Sequence, residues 1–251
     1  DDATLFSPAD GDRAVVAALL SKAAAAGVAV RTGCRVTELV RAGAGWRVSG
    51  PCGEQTPDRV VVATGGFMGN LEEARRRLGL ASDVVLIRSA PSSADGSGLA
   101  LAESVGVVVP QRLPGIVYGH AVPLPHAPLE AGMLMKLPPG SVVVDSDGTP
   151  RPGIIGVRGE GGARLLDLPG GLAWLVGAER AWGGAAVHRL GGRPVPLGAV
   201  VDAHGVRGAD LPSFALAAHL PLDALERLVA KPGDPPSAER PVASVGPYVA
   251  V

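Results

Sequence analysis

Chemistry in this chain concentrates at two bends. The first is Gly65-Gly66, which follows the unbroken apolar run Arg59-Val60-Val61-Val62-Ala63-Thr64. A strand covered on both faces is written this way, and two glycines after it leave no Cβ to hold a ligand off the backbone. The second bend, Ala94-Asp95-Gly96-Ser97-Gly98, precedes a helix expected from about Leu99. Amide groups at such a start can bond polar oxygens. Taken singly, Gly65-Gly66 reads as a strand-end turn and Asp95 as a helix cap, and a cap is compatible with a ligand role. Other reactive types are scattered. His126, His188, His204 and His219 form no i, i+4 pair and no Cys–His cluster exists, so no metal site is expected. A G-x-S-x-G elbow is absent. Arg75, Arg76 and Arg77 read as a solvated helix face. For Cys34 and Cys52, two small thiols in a reducing compartment are the commoner outcome, with a disulfide between them as the alternative.

Several elements must position these bends. Residues 8–27 read as a helix: Pro8 suits its first turn, Ser7 or Asp10 can cap it, and Val15, Val16, Leu19, Leu20 and Ala23 recur at helical spacing before Gly27. Short strands are expected at 28–31, 35–40 and 46–48, and again at 59–64 and 83–88. Asn70 with Glu73 three residues on resembles a capping box for a helix over 71–79. A further helix runs from about 99 to 104. Near Pro110 the composition shifts toward short segments between Pro and Gly. There 141–145 and 173–176 read as strands, with a hairpin-type turn at Ser146-Asp147-Gly148. Asp210 and Asp223 each stand ready to cap a helix, over 210–220 and 223–230. Residues 231–241 read as a loop. The first part is thus α/β and the second a separate α+β module.

Composition narrows the function classes. Of 251 residues, 23 are Lys or Arg and 24 Asp or Glu, for a net charge of −1. That excludes bulk electrostatic attraction to nucleic acid or to an anionic membrane. Gly 36 and Pro 23 are roughly twice the average share, yet the mean hydropathy is +0.27, which suits a loop-rich globular protein better than a disordered chain. Only 3% is aromatic, so the core must be built from Val, Leu and Ala. No apolar run approaches the ~18 residues of a membrane span. The opening Asp1-Asp2-Ala3-Thr4 shows no signal peptide and no Met. The expectations are a cytoplasmic location and a processed product or fragment.

The residue strings go further. Val60 to Asn70, reading VVVATGGFMGN, resembles the strand–ATGGF–Asn segment of the fumarate reductase and succinate dehydrogenase flavoprotein family, which includes ketosteroid and tricarballylate dehydrogenases. Ala94 to Gly106 is similar to that family's GDG–helix–GA segment. Gly11 to Val40 resembles the helix, turn and strand that come before. Asp202 to Ala230 resembles the end of its substrate-capping domain, and Gly246 to Val251 the point where the chain re-enters the FAD domain. Five motifs in the family's order cover nearly the whole chain.

The resemblance implies an α/β fold: an incomplete FAD-binding domain, Rossmann-like and of the glutathione reductase type, over 1–108, an α+β substrate-capping domain over 109–240, and a return segment over 241–251. It implies FAD as cofactor, with Val36 at the adenine end, Ala63, Thr64, Gly65, Gly66 and Asn70 along the cofactor, and Asp95 and Gly96 beside the flavin–ribityl region. The implied chemistry is hydride transfer between flavin and a carbon–carbon bond next to a carbonyl or carboxylate. The substrate is a small molecule and the electron partner is left open. On the capping side, Arg151 and Arg164 are the catalytic candidates and Tyr118 and His120 the substrate-binding ones. An Arg can grip a carboxylate bidentately.

Four departures qualify this. There is no GxGxxG opening a βαβ unit, which is where the pyrophosphate sits. The family's C-terminal segment has no counterpart. Ala94 stands where Gly is usual. The Arg-Phe-Asp-Glu stretch is reduced to Gly148-Thr149-Pro150-Arg151-Pro152-Gly153. The expectation is an interior piece of a flavoprotein that alone binds FAD weakly or not at all. The alternatives are a cofactor-free binding module and a two-chain enzyme whose partner carries the fingerprint.

Overall fold

The computed structural model describes residues 12–113, 115, 117, 121–155, 160–189, 192–230, 242 and 248–250. They divide into two compact units, one holding residues 1–61 and 101–107, the other 62–100 and 108–251.

In the first unit, helix α1 (Asp12–Ala25) ends where Gly27 turns left-handed and the Val28 N–H reaches back to the Ala23 carbonyl at 2.9 Å. That closes the orphan carbonyls of the last turn. Its apolar residues do not enter a core: Val15, Val16, Leu19 and Leu20 are 47–62% exposed. Strands β1 (Glu38–Ala42), β2 (Gly45–Gly50) and β3 (Gly53–Gln55) form an antiparallel meander. Arg41 lies over the Trp46 ring, 4.5 Å from its centroid. The strand expected at 28–31 is not formed, and Val28 and Val30 are each 54% exposed. The two cysteines are not thiols: Cys34 and Cys52 are bonded across a Cα–Cα distance of 5.4 Å. The bridge ties the loop before β1 to the β2–β3 turn. Among the described residues of this unit only Leu39 is buried.

The second unit closes cores of its own. Helices α2 (Leu71–Leu78) and α3 (Ser97–Ser104), the latter running on into the first unit, come from the stretch between the two bends and just after. Strands β4 (Ala121–Leu124) and β5 (Ala127–Met133) make a hairpin. β6 (Ser141–Val144), α4 (Glu160–Leu166), β7 (Trp174–Ala178), β8 (Ala186–Val187), β9 (Val195–Pro196), α5 (Leu197–His204), β10 (Val206–Gly208), α6 (Leu211–Ala218), α7 (Leu222–Leu228) and β11 (Tyr248–Ala250) follow. The main sheet runs β10-β11-β7-β6, antiparallel throughout. Tyr248–Ala250, in the segment expected to return to the FAD domain, is thus an inner strand of this sheet.

Side chains on a strand alternate faces, and here both faces are covered. Val143 and Leu175 join a cluster with Leu134, Ile154, Leu197 and Val200. Val144 and Val176 join the opposite one with Phe214, Leu225 and Tyr248. Where the Trp182 indole N–H meets this sheet, it donates to the Ser141 hydroxyl at 2.6 Å.

Other expectations are corrected. Residues 59–64 form no strand, and Val61 is 89% exposed; among the described residues no strand lies beside the run to complete its hydrogen bonds. Residues 83–88 make a single bridge, Arg88 with Glu130. The Ser146-Asp147-Gly148 turn forms, but β6 takes β7 as its ladder partner, and the returning chain adds only the Val144–Pro150 bridge. Asp210 caps α6 in a reciprocal box with Ser213. Asp223 does not cap α7, because the helix starts one residue earlier behind Pro221 and Asp223 pairs with Arg227 instead.

Candidate functional site

The two glycine bends lie against each other. Gly96 donates its N–H to the Gly66 carbonyl at 3.1 Å, and Gly69 donates to the Ala94 carbonyl at 2.8 Å. A Cβ at Gly98 would stand 1.9 Å from the Thr64 hydroxyl, so the first turn of α3 packs on the 62–64 segment only because that residue is glycine. Gly65 sits at φ +85° with nothing within 4 Å of where a Cβ would be. Its lack of a side chain therefore serves the bend rather than a packing contact.

Local chemistry explains each arm. Phe67 is buried and anchors the turn after Gly66. The Asn70 side-chain oxygen accepts from the N–H groups of Glu72 and Glu73 at 3.1 and 3.2 Å, capping α2. Glu73 does not complete a capping box; its carboxylate takes Arg76 and Arg77 instead. Hydrogen bonds from Arg76 and then Arg77 hold that carboxyl below its ordinary range. Asp95 accepts from the Ser97 N–H at 2.9 Å, as a cap does. Residues 61–66 are exposed along their length, while Gly96 and Gly98 are buried beneath them.

The result is one open bank: an exposed backbone from Ala63 to Gly66, free of side chains at Gly65 and Gly66, backed by the Asp95-Gly96 bend and the first turn of α3. These residues fit one side of a dinucleotide. The sequence holds no glycine fingerprint to cradle its pyrophosphate. Val36 lies in the first unit just before β1, 38% exposed.

Of the capping-side candidates, two are described, Arg151 and Arg164, and they sit on different segments. Arg151 is tied to Asp145, its Nε and an NH2 donating to one carboxylate oxygen at 2.8 and 2.5 Å. The other oxygen of Asp145 accepts from the N–H groups of Asp147 and Thr149, both at 2.9 Å. Burial pushes the Asp145 carboxyl up, but the bonds from Thr149, Arg151 and Asp147 outweigh it and hold the group below the usual range. Arg164 lies on α4 and is exposed, its guanidinium carbon 3.6 Å from where a Cβ of Gly153 would stand. Tyr118 and His120 lie outside the described residues. Among the described residues no cluster suited to a metal ion occurs, and no helix is long and apolar enough to cross a membrane.

Two features escaped the sequence reading. Arg77 is 1% exposed, not part of a solvated face. Its guanidinium pairs with Glu73 at 2.8 Å and donates to the Pro110 carbonyl at 3.1 Å. Arg75 likewise turns inward to the carbonyls of Ala81 and Val84. The i, i+4 spacing of Glu73 and Arg77 was the available signal. The second feature is a cavity of about 840 Å³ within the second unit, walled by Leu71, Ala74 and Leu78 of α2, by residues 85–87, and by the sheet residues Val143 and Trp174.

A family model described as FAD dependent oxidoreductase matches residues 2–194. Among solved structures, the open conformation of a flavocytochrome c3 fumarate reductase is similar at 20% identity and a TM-score of 0.55, over 98% of this chain and 45% of that one. The 3-ketosteroid delta1-dehydrogenase from Sterolibacterium denitrificans, in complex with 1,4-androstadiene-3,17-dione, is similar at 16% identity and a TM-score of 0.63, over 93% and 49%. The 3-ketosteroid-delta4-(5alpha)-dehydrogenase from Rhodococcus jostii RHA1, in complex with 4-androstene-3,17-dione, is similar at 16% and 0.55, over 93% and 48%. The chain spans about half the length of these structures. No curated protein sequence matches it.

Proposed function

Since the chain belongs to the FAD-dependent oxidoreductase family, we propose that it is the interior portion of an enzyme that moves a hydride between flavin and a carbon–carbon bond next to a carbonyl or carboxylate. The observation that carries this reading is the Gly96-to-Gly66 hydrogen bond of 3.1 Å, which makes one bank of two bends 30 residues apart. FAD, when bound, supplies the centre that gives or takes the hydride. The chain's own part is positional. The backbone from Ala63 to Gly66 lies along the cofactor, Asp95 orders the turn that presents Gly96, and Asn70 fixes α2 behind them. Val36 serves the adenine end.

On this reading residues 1–108 belong to the FAD-binding domain, 109–240 to the substrate cap and 241–251 to the return. Arg151, held rigid by Asp145, and Arg164 are the cap's candidate cations. Tyr118 and His120 are its candidate substrate contacts. The substrate is a small molecule. The missing fingerprint comes from polypeptide outside this sequence. A cytoplasmic location has the Cys34–Cys52 bridge against it, because such bridges persist in oxidising compartments.

The test is a flavin titration followed by visible absorbance. The isolated chain should bind FAD weakly or not at all, because one bank without a pyrophosphate cradle forgoes most of the cofactor's contacts. The longer product of its reading frame should form a yellow stoichiometric complex. Low-micromolar or tighter binding by the isolated chain would overturn the incomplete-site reading. A longer product carrying GxGxxG that stays colourless would leave a cofactor-free module.

A further inference from the structure

Within the first unit, Val36 lies on a segment outside the ladder. β1 begins only at Glu38, and Pro51, which follows β2, has no N–H to carry the pairing further. Among the described residues neither the Val36 N–H nor its carbonyl takes a backbone partner. Two anchors flank it. On one side the Thr37 N–H donates to the Ser49 carbonyl at 2.9 Å. On the other, the chain is tied through Cys34 to Cys52. Between the two it passes over Gly50, where a Cβ would stand 2.2 Å from the Arg35 carbonyl oxygen. Among the described residues of this unit only Leu39 is buried, so core packing adds little to hold the segment.

The bridge is open to attack. Cys52 is exposed and Cys34 half-buried. Cys52 sits in the exposed Pro51-Cys52-Gly53 turn, and nothing lies within 4 Å of where a Cβ of Gly53 would be. Exposed disulfides are the labile ones, because exchange requires a thiolate to reach a sulfur directly. A thiolate of a dithiol reductant attacks the Cys52 sulfur, forms a mixed disulfide and expels Cys34 as a thiolate, which takes up a proton. The reductant's second thiolate then attacks its own sulfur in the mixed disulfide and expels Cys52, which is protonated in turn. The bridge gains two electrons and two protons, and the dithiol is oxidised to a disulfide.

We propose that Cys34–Cys52 is a site of thiol–disulfide exchange with a dithiol reductant, and that opening it frees the Val36 segment and weakens FAD binding. The second part deepens the flavoenzyme reading and rests on Val36 serving the adenine end. With the bridge open, the chain before Val36 loses one of its two flanking anchors. The cofactor must then re-order that segment, and affinity falls with the fraction of molecules that hold it in place. The bends at Gly66 and Gly96 keep their own hydrogen bond, so the loss is partial.

The test has two arms. In the first, the full chain without FAD is treated with dithiothreitol under native conditions and trapped with iodoacetamide. Mass spectrometry should find both cysteines alkylated, and the Thr37 amide should exchange its hydrogen about tenfold faster. In the second arm, the longer product of the reading frame is titrated with FAD in its bridged and reduced states. Reduction should weaken FAD binding about tenfold, and reoxidation with oxidised glutathione should restore it. Cys34→Ser with Cys52→Ser should show the weaker affinity and ignore the reductant; if that variant does not fold, the two redox states of the unmodified protein decide. A bridge that resists dithiothreitol until urea is added would overturn the inference. So would complete loss of amide protection across β1–β3 on reduction, because the bridge would then serve the fold alone. A yellow product with equal FAD affinity in both states sinks the regulation and leaves the flavoenzyme reading. A product colourless in both states sinks that reading and removes FAD from the inference, while the first arm still decides the exchange site.

Discussion

The two compact units use the same apolar residue types to opposite ends. In the second, Val144, Val187, Leu197, Val200 and Phe214 are wholly buried, carried by strands and helices that pack into two clusters. In the first, Val15, Val16, Leu19 and Leu20 form an apolar helix that stays open to solvent, and the unit is held by a disulfide, a three-stranded meander and an Arg41–Trp46 contact. Apolar patterning thus marks what a segment can bury. Whether it does so depends on a partner surface, and in the first unit the described residues do not provide one.

The contrast can be broken by perturbing each unit in turn. Phe214 is fully buried, its ring tilted against Tyr248 at 6.1 Å between centroids, so Phe214→Ala should destabilise the second unit by about 3–5 kcal/mol. Urea unfolding followed by far-UV dichroism measures it, and a loss below 1 kcal/mol would deny that unit its self-sufficient core.

Next in size, reducing Cys34–Cys52, or replacing both with Ser, should cost the first unit about 3 kcal/mol, from a bridge closing a sequence separation of 18. Hydrogen exchange of the β1–β3 amides should accelerate while β6 and β7 remain protected. Equal acceleration in both would show that the units do not hold separately.

Asp145 adds a pH dependence to the second unit. Its folded pKa lies below the unfolded value of about 3.9. Its contribution is therefore complete above that value and is lost as pH falls through the folded one. Asp145→Asn should cost about 1–2 kcal/mol at neutral pH and flatten the acid limb of the melting curve. An unchanged acid limb would remove the carboxylate's role.

The smallest effect is expected in α1. Leu20→Ala should change stability by less than about 0.5 kcal/mol, since Leu20 is already 48% exposed. A loss of several kcal/mol in a chemical melt would mean that this face is covered in solution.

Much of the candidate site was legible because its determinants are local. The Asn70 cap, the Asp95 bend and the Asp210 cap each follow from residues within about three positions of one another, and all three formed, Asp210 as a reciprocal box with Ser213. The runs of valine were not legible in the same way. Val142-Val143-Val144 and Val60-Val61-Val62 read alike, yet only the first is a strand, because β7 lies beside it. Two of the three arginines of α2 misled for a related reason, while Arg76 stays exposed as expected. Three consecutive cations suggest solvent, and only the carbonyls of Ala81, Val84 and Pro110, brought in from elsewhere, make an inward turn affordable.

By itself, the order of residues determined where this chain bends at its glycines, where α2 and α6 are capped, and where the backbone is stripped of side chains. Those outcomes depend on dihedral preferences and on hydrogen bonds a few residues long. Tertiary structure decided that the bends at Gly66 and Gly96 share a bond, that Cys34 meets Cys52, and that His204 reaches the Leu124 carbonyl from 80 residues away. Contacts of that span depend on how whole elements pack, which no local window of sequence contains.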